Sequence, residues 1–119
     1  MSSQPEQLRD RTKAFALRVI RLFRSLPHRT DTQVLGKQLL RCGTSVAANY
    51  RAACRARSKA EFVAKMGVVV EEADEAILWL ELLTESGIVP PEKAELLLKE
   101  AHELTAIFTA SRRTARNAT

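Results

Sequence analysis

Glycine and proline are scarce in this chain, with four residues of each. Both residues disrupt helices, and Ala, Leu, Glu, Arg and Lys dominate instead, so the composition favours helix over sheet. Pro5, Pro27, Pro90 and Pro91 stand only where helices could begin or end. Cysteine is rarer still: Cys42 and Cys54 form no CxxC pair and have no neighbouring histidine. Twelve residues apart on one helix, they point about 120° away from each other, so one metal ion could not take both. Two lone thiols fit a reducing cytoplasm. No apolar run approaches the ~20 residues that span a bilayer. The first ten residues, MSSQPEQLRD, are polar and lack the hydrophobic segment of a secretory signal.

The charge is unevenly spread. Across 119 residues the net charge is +5, but residues 1–60 hold 13 Lys/Arg against 3 Asp/Glu. Residues 61–100 reverse this with 3 against 10, and residues 101–119 hold 3 against 1. A basic half could face an anionic partner such as nucleic acid. It could equally be neutralised by the acidic half, within one molecule or between subunits.

Hydrophobic spacing divides the chain, as a single domain over residues 1–119, into four helices, expected at about 4–26, 31–57, 59–86 and 91–113. Ser3-Gln4-Pro5-Glu6 reads as a capping box, and Leu8, Thr12, Phe15, Val19, Leu22 and Leu26 follow as a 4-3-4-3-4 seam. Arg11, Arg18, Arg21 and Arg24 fall on the far side. Thr30-Asp31-Thr32-Gln33 resembles a second capping box, ahead of a seam through Leu35, Leu39, Cys42, Val46, Asn49 and Ala53. Ser58-Lys59-Ala60-Glu61 opens a third helix with Phe62, Met66, Val69, Ala73, Ala76, Leu80 and Leu83 inside, and Gly87 as its stop. A fourth carries Leu97, Ala101, Leu104 and Phe108, followed by a basic tail expected to fray. Short connections near residues 27–30, 57–59 and 87–90 predict antiparallel neighbours. The expected fold is all-α, an up-down-up-down four-helix bundle.

The stretch RCGTSVAANYRAACRAR, residues 41–57, invites an enzymatic reading because it gathers Gly, Thr, Ser and Asn among four arginines. A phosphate-binding or nucleophile loop would break the helical register at Gly-Thr-Ser, and the register continues through it. GxxxxGK[ST] and GxSxG are both absent, and no His or Asp is placed to activate Ser45. Gly43, Thr44, Ser45, Ala47 and Ala48 instead make this turn thin enough for a close helix neighbour. Asn49 on the seam is expected to act structurally, hydrogen-bonded to fix register.

Glu71, Glu72, Asp74 and Glu75 raise the possibility of a carboxylate-bridged metal site. Such sites in bundles pair their glutamates with Glu-x-x-His, which neither His28 nor His102 completes. An acidic face or salt bridges to the basic helices is the expected role, with no metal or cofactor and no catalytic residue. The third helix is also apolar on more than one side: Val68, Leu78, Trp79 and Leu82 lie away from its seam. A lone bundle needs only one stripe of about 100°. The surplus predicts burial against a second copy of the chain, with Trp79 as anchor.

With the helices placed, LLRCGTSVAANYRAACRARSKAEFVAKMGVVVEEADEAILWLELL resembles the 23S rRNA-intervening sequence proteins. The resemblance rests on Ser45, Asn49, Arg57, Phe62, Glu72, Leu80 and Gly87, and it runs from about Ala14 to Phe108. Many members carry Glu-Gly shortly after the Asn, where this chain reads Ala52-Ala53. The resemblance implies a ring-like homopentamer, a link to RNA, and no enzymatic activity. A related branch, the accessory variability proteins of diversity-generating retroelements, would add a reverse transcriptase as partner.

The expected function is therefore a non-catalytic, RNA-binding oligomer. Lys37, Arg41, Arg51 and Arg55 share one stripe of the second helix, and Arg18, Arg21 and Arg24 add cations from the first. Stacking aromatics are missing from these faces, which predicts backbone contact with little sequence discrimination. The alternative is a protein-interaction scaffold whose basic helices receive an acidic protein or a neighbour's Glu-rich helix.

Overall fold

A computed structural model describes residues 3–118. It contains four helices, α1 (Gln4–Arg24), α2 (Thr30–Ala53), α3 (Lys59–Glu85) and α4 (Pro91–Asn117), and no strand among the described residues. Each helix packs on the next, and α1 also touches α4. The result is an all-α four-helix bundle, 49 × 28 × 19 Å in extent.

The helix starts follow from their caps. Ser3 Oγ accepts from the Glu6 amide at 3.3 Å and Ser58 Oγ from the Glu61 amide at 3.0 Å. Glu61 in turn accepts from the Arg57 amide at 3.2 Å, satisfying donors that the helix itself leaves free. The second start differs from the expected capping box. Thr30 is already helical and Arg29 precedes it without a side-chain cap. Asp31 accepts from the Thr32 amide, while the Gln33 amide group reaches back to the Pro27 carbonyl.

The helix ends depart from expectation at two places. α2 stops at Ala53 rather than near residue 57, and Arg55 and Ala56 close a turn on the Ala52 and Ala53 carbonyls. Capture of the Arg57 amide by Glu61 draws the chain toward α3 there. Conversely, the basic tail is not frayed: α4 runs to Asn117. Arg112 Nε donates to the Val63 carbonyl at 3.1 Å and Lys59 Nζ to the Ala118 carbonyl, so both turns are pinned to α3. After α3, Gly87 adopts φ 83°, a conformation that side chains resist, and its amide bonds the Thr84 carbonyl.

Leu8, Thr12, Phe15, Val19 and Leu22 of α1 are buried, with Leu26 just beyond it, as their spacing predicts. On α2 the inner face differs from the expected seam. Leu39, Cys42, Val46 and Ala53 are buried, but Leu35 and Asn49 are only half-buried and Gly36 and Tyr50 take the inner positions. The buried set keeps the seven-residue repeat, with Leu39, Val46 and Ala53 flanked by Gly36, Gly43 and Tyr50; spacing alone allows Leu35, Cys42 and Asn49 in that place equally well, and glycine at two of these positions conceals the true face. Tyr50 then stacks on Phe108 with ring centroids 5.0 Å apart. Asn49 is accordingly no buried register-setter; it donates to the Ser45 carbonyl and hydroxyl on its own helix.

Gly43 explains how closely α1 and α2 approach. A Cβ placed on it would stand 2.8 Å from both methyl groups of Val19. At Gly36 the nearest atom, 2.7 Å away, is the Cδ1 end of Leu26, which can rotate aside. Gly43→Ala should therefore lower unfolding stability in urea by about 1–3 kcal/mol, the usual range for overpacking. Gly36→Ala should stay within about 1 kcal/mol of the parent, because helix propensity offsets the smaller clash.

Candidate nucleic-acid interface

Close packing of α1 on α2 leaves an external groove of about 730 Å³ between them. Its lining includes Thr44, Ala47 and Ala48, the thin turn of α2. Arg9 and Lys13 stand on the α1 side, while Arg51 and Arg55 come from α2 and the turn beyond it. Asp10 is the one acid among the lining residues. None of the four cations joins an ion pair among the described residues. The groove thus offers a concentrated, unneutralised positive field over a floor without bulky side chains.

The sequence-predicted cations divide into four groups, of which Arg41 is one by itself. Arg51 and Arg55 line this groove, although Arg55 lies past the end of α2 rather than on a continuous helical stripe. Lys37 and Arg24 are exposed. Arg24 is eleven residues from Lys13 and so shares its side of α1, while Lys37 adjoins Gly36, which packs against Phe23. These two prolong the basic face toward the other end of α1 and α2. Arg18 lies nine residues from Arg9, half a turn around α1, and Arg21 is also displaced from the groove side. Arg9 and Lys13 were missed because spacing within one helix says nothing of what a neighbouring helix brings alongside.

Arg41 has a different job. Its guanidinium donates to Glu72 at 3.0 Å and Glu75 at 2.9 Å, joining α2 to α3. Arg11 does the same between α1 and α4, with paired 2.7 Å bonds to Glu100 and a 2.6 Å bond to Glu103. Arg11 is half-buried against α4, not on an outer face as its position in the heptad suggested. Part of the charge asymmetry is therefore neutralised within the molecule.

Cys42, Glu72 and Glu75 bring three potential metal-ligand atoms within 4.8 Å of one another. Arg41 already sits among them, with its Nη2 3.3 Å from Cys42 Sγ. Burial, ahead of the nearby carboxylates, pushes the Cys42 thiol up to about 12, so it stays protonated at neutral pH. The guanidinium already supplies the positive charge that the two carboxylates require.

The candidate assembly residues lie on the outer side of α3. Val68, Leu78 and Leu82 are exposed by 37%, 46% and 39%. Trp79 is half-buried, yet its indole N–H is buried without a hydrogen-bond partner. Val34 on α2, 58% exposed, is a further apolar residue that sequence spacing passed over. No helix among the described residues is long and apolar enough to cross a membrane.

Comparison with known proteins agrees with this architecture. The fold is similar to the crystal structure of a protein of unknown function from the S23 ribosomal protein family of Bacteroides thetaiotaomicron VPI-5482. The two share 31% sequence identity with a TM-score of 0.86, over 93% of this chain and 99% of the other. No curated protein matches the chain. Residues 7–110 match the family described as 23S rRNA-intervening sequence protein, and the chain belongs to that family.

Proposed function

We propose that this protein is a non-catalytic oligomer that binds the sugar-phosphate backbone of structured RNA through the α1/α2 groove. The observation that carries the reading is the set of four unpaired cations, Arg9, Lys13, Arg51 and Arg55, drawn from two helices around one groove. Lysine and arginine neutralise phosphates with release of counterions, and this dominates affinity where no base is read. The family name connects such proteins with 23S rRNA, which makes RNA the first polyanion to test. Two free thiols suit a cytoplasmic location.

The assembly is proposed as a homopentameric ring of up-down-up-down protomers. If α2 and α3 run antiparallel, as proposed, about two turns along from the Arg41 bridges to Glu72 and Glu75 would bring Val34 level with Trp79 and Leu82. A second copy docked on this patch would cover its apolar atoms and give Trp79 Nε1 an acceptor. The patch centres on α3, which makes no contact with α1 among the described residues, so assembly through α3 would leave Arg9 and Lys13 open. Repetition around a ring would then multiply weak phosphate contacts.

Affinity for a structured RNA should fall steeply with salt, with a log–log slope near −3 for four phosphate contacts per chain. Absence of binding at low salt would favour a protein-interaction scaffold instead. Replacing Lys13, Arg51 and Arg55 together with Glu should weaken binding by roughly two orders of magnitude at moderate salt while the circular dichroism spectrum is retained. Arg41→Ala should behave oppositely, lowering the thermal midpoint but leaving RNA affinity nearly unchanged, because its charge is spent on Glu72 and Glu75. Trp79→Ala should shift the mass in solution toward smaller species with helicity preserved; an unchanged mass would remove Trp79 from the interface.

A further inference from the structure

A second cavity lies where α1 and α4 part company. The Arg11 bridges to Glu100 and Glu103 hold the two helices together, and beyond them opens a cleft of about 970 Å³. Its walls are Leu8 of α1, Tyr50 of α2, Phe62 of α3, and Ile107, Ala110 and Ala115 of α4. The reason for the opening is written in α4. Its inner seam runs Leu97, Ala101, Leu104, Phe108 and then continues, on the same spacing, to Ser111 and Ala115. Two small residues stand where a bundle seam would carry leucines. The volume is at the upper end of ordinary small-ligand sites.

The polar groups of the cleft carry one sign. Among the described residues Arg9 and Lys59 line it, and no Asp or Glu does. Lys59 is held in place by its bond to the Ala118 carbonyl. Ser111 and Thr114 also line the cleft, and their hydroxyls make no hydrogen bond among the described residues. Thr105 and Thr109, about two turns and one turn earlier, instead return theirs to the carbonyls of Ala101 and Thr105. An apolar trough with free hydroxyls and two cations fits a molecule with an aliphatic body and a single anionic head.

We propose that this cleft binds a free fatty carboxylate, its chain lying between Leu8, Phe62 and Ile107 and its head group on Arg9 and Lys59. Arg9 lines both this cleft and the α1/α2 groove, so a bound carboxylate would also draw one cation from the groove. The proposal stands independently of the RNA reading, since it needs only the cleft.

Calorimetric titration with laurate below its micelle concentration tests it on the full chain. Saturable uptake of one laurate per chain is expected. Ser111→Leu, which continues the seam into the cleft, should weaken uptake by about tenfold or more while the thermal midpoint holds or rises. Ala115→Phe provides the same block should Ser111→Leu fail to fold. Arg9→Gln and Lys59→Gln should weaken laurate but leave lauryl alcohol unaffected. No saturable uptake by the parent, or undiminished uptake by a folded cleft-filling variant, overturns the proposal. A fall in assembled mass on adding laurate overturns it too, because the cleft would then be a contact between copies.

Discussion

The structure depends on how closely α1 can lie against α2. Val19 rests on the bare backbone of Gly43, and no larger residue fits there without displacing branched methyl groups rather than a flexible chain end. Glycine inside a helix costs about 1 kcal/mol relative to alanine, and the packing of Val19 in the core offsets that loss. The consequence outside the core is equally direct. Where the two backbones approach, the surface between them is floored by Thr44, Ala47 and Ala48, and cations from both helices rise around it. A wider helix pair would set the same arginines on two separate convex faces.

Two arginines contribute in the opposite way, by being neutralised. Arg11 and Arg41 tie the basic half of the chain to its acidic half at α4 and α3, each gripping two glutamates. Their partners Glu100 and Glu72 keep only 15% and 14% of their side-chain surface exposed. A partly desolvated carboxylate needs a fixed partner far more than an exposed one does. What distinguishes a bridging arginine from an unpaired one among the described residues is therefore the environment of the acid it could meet. The groove cations meet no such acid, which leaves their field directed at solvent.

Much of this was legible in the chain itself, and the failures have physical causes. Ser3 and Ser58 announce their helices because a hydroxyl three residues before a glutamate satisfies an otherwise free amide. The α1 seam could be read residue by residue, because Leu8 through Leu26 obey one period. Asn49 could not, since the same repeat also admits Gly36, Gly43 and Tyr50 as the inner set, and two of those three are glycines that carry no hydrophobic signal. Arg41 looked like a member of a basic stripe, and only the pairing of α2 with α3 reveals Glu72 and Glu75 across from it. Arg9 and Lys13 were invisible for the same reason. A one-dimensional pattern reports which residues share a helix face, but a groove belongs to two helices.

The apolar surplus of α3 points the same way as the cations, toward something outside the single chain. An indole N–H shut away from water without an acceptor costs on the order of 1–3 kcal/mol, and exposed Leu78, Leu82 and Val34 add apolar surface in its neighbourhood. Neither feature stabilises an isolated protomer, and the proposed assembly would relieve both. The helix carries Glu71, Asp74 and Glu85 beside those leucines, with no ion pair among the described residues. Carboxylates on that rim repel a polyanion while the apolar centre admits another protein surface. The proposed division of labour rests on charge and apolar surface together: α3 pairs an apolar centre with an acidic rim, while the α1/α2 side is basic.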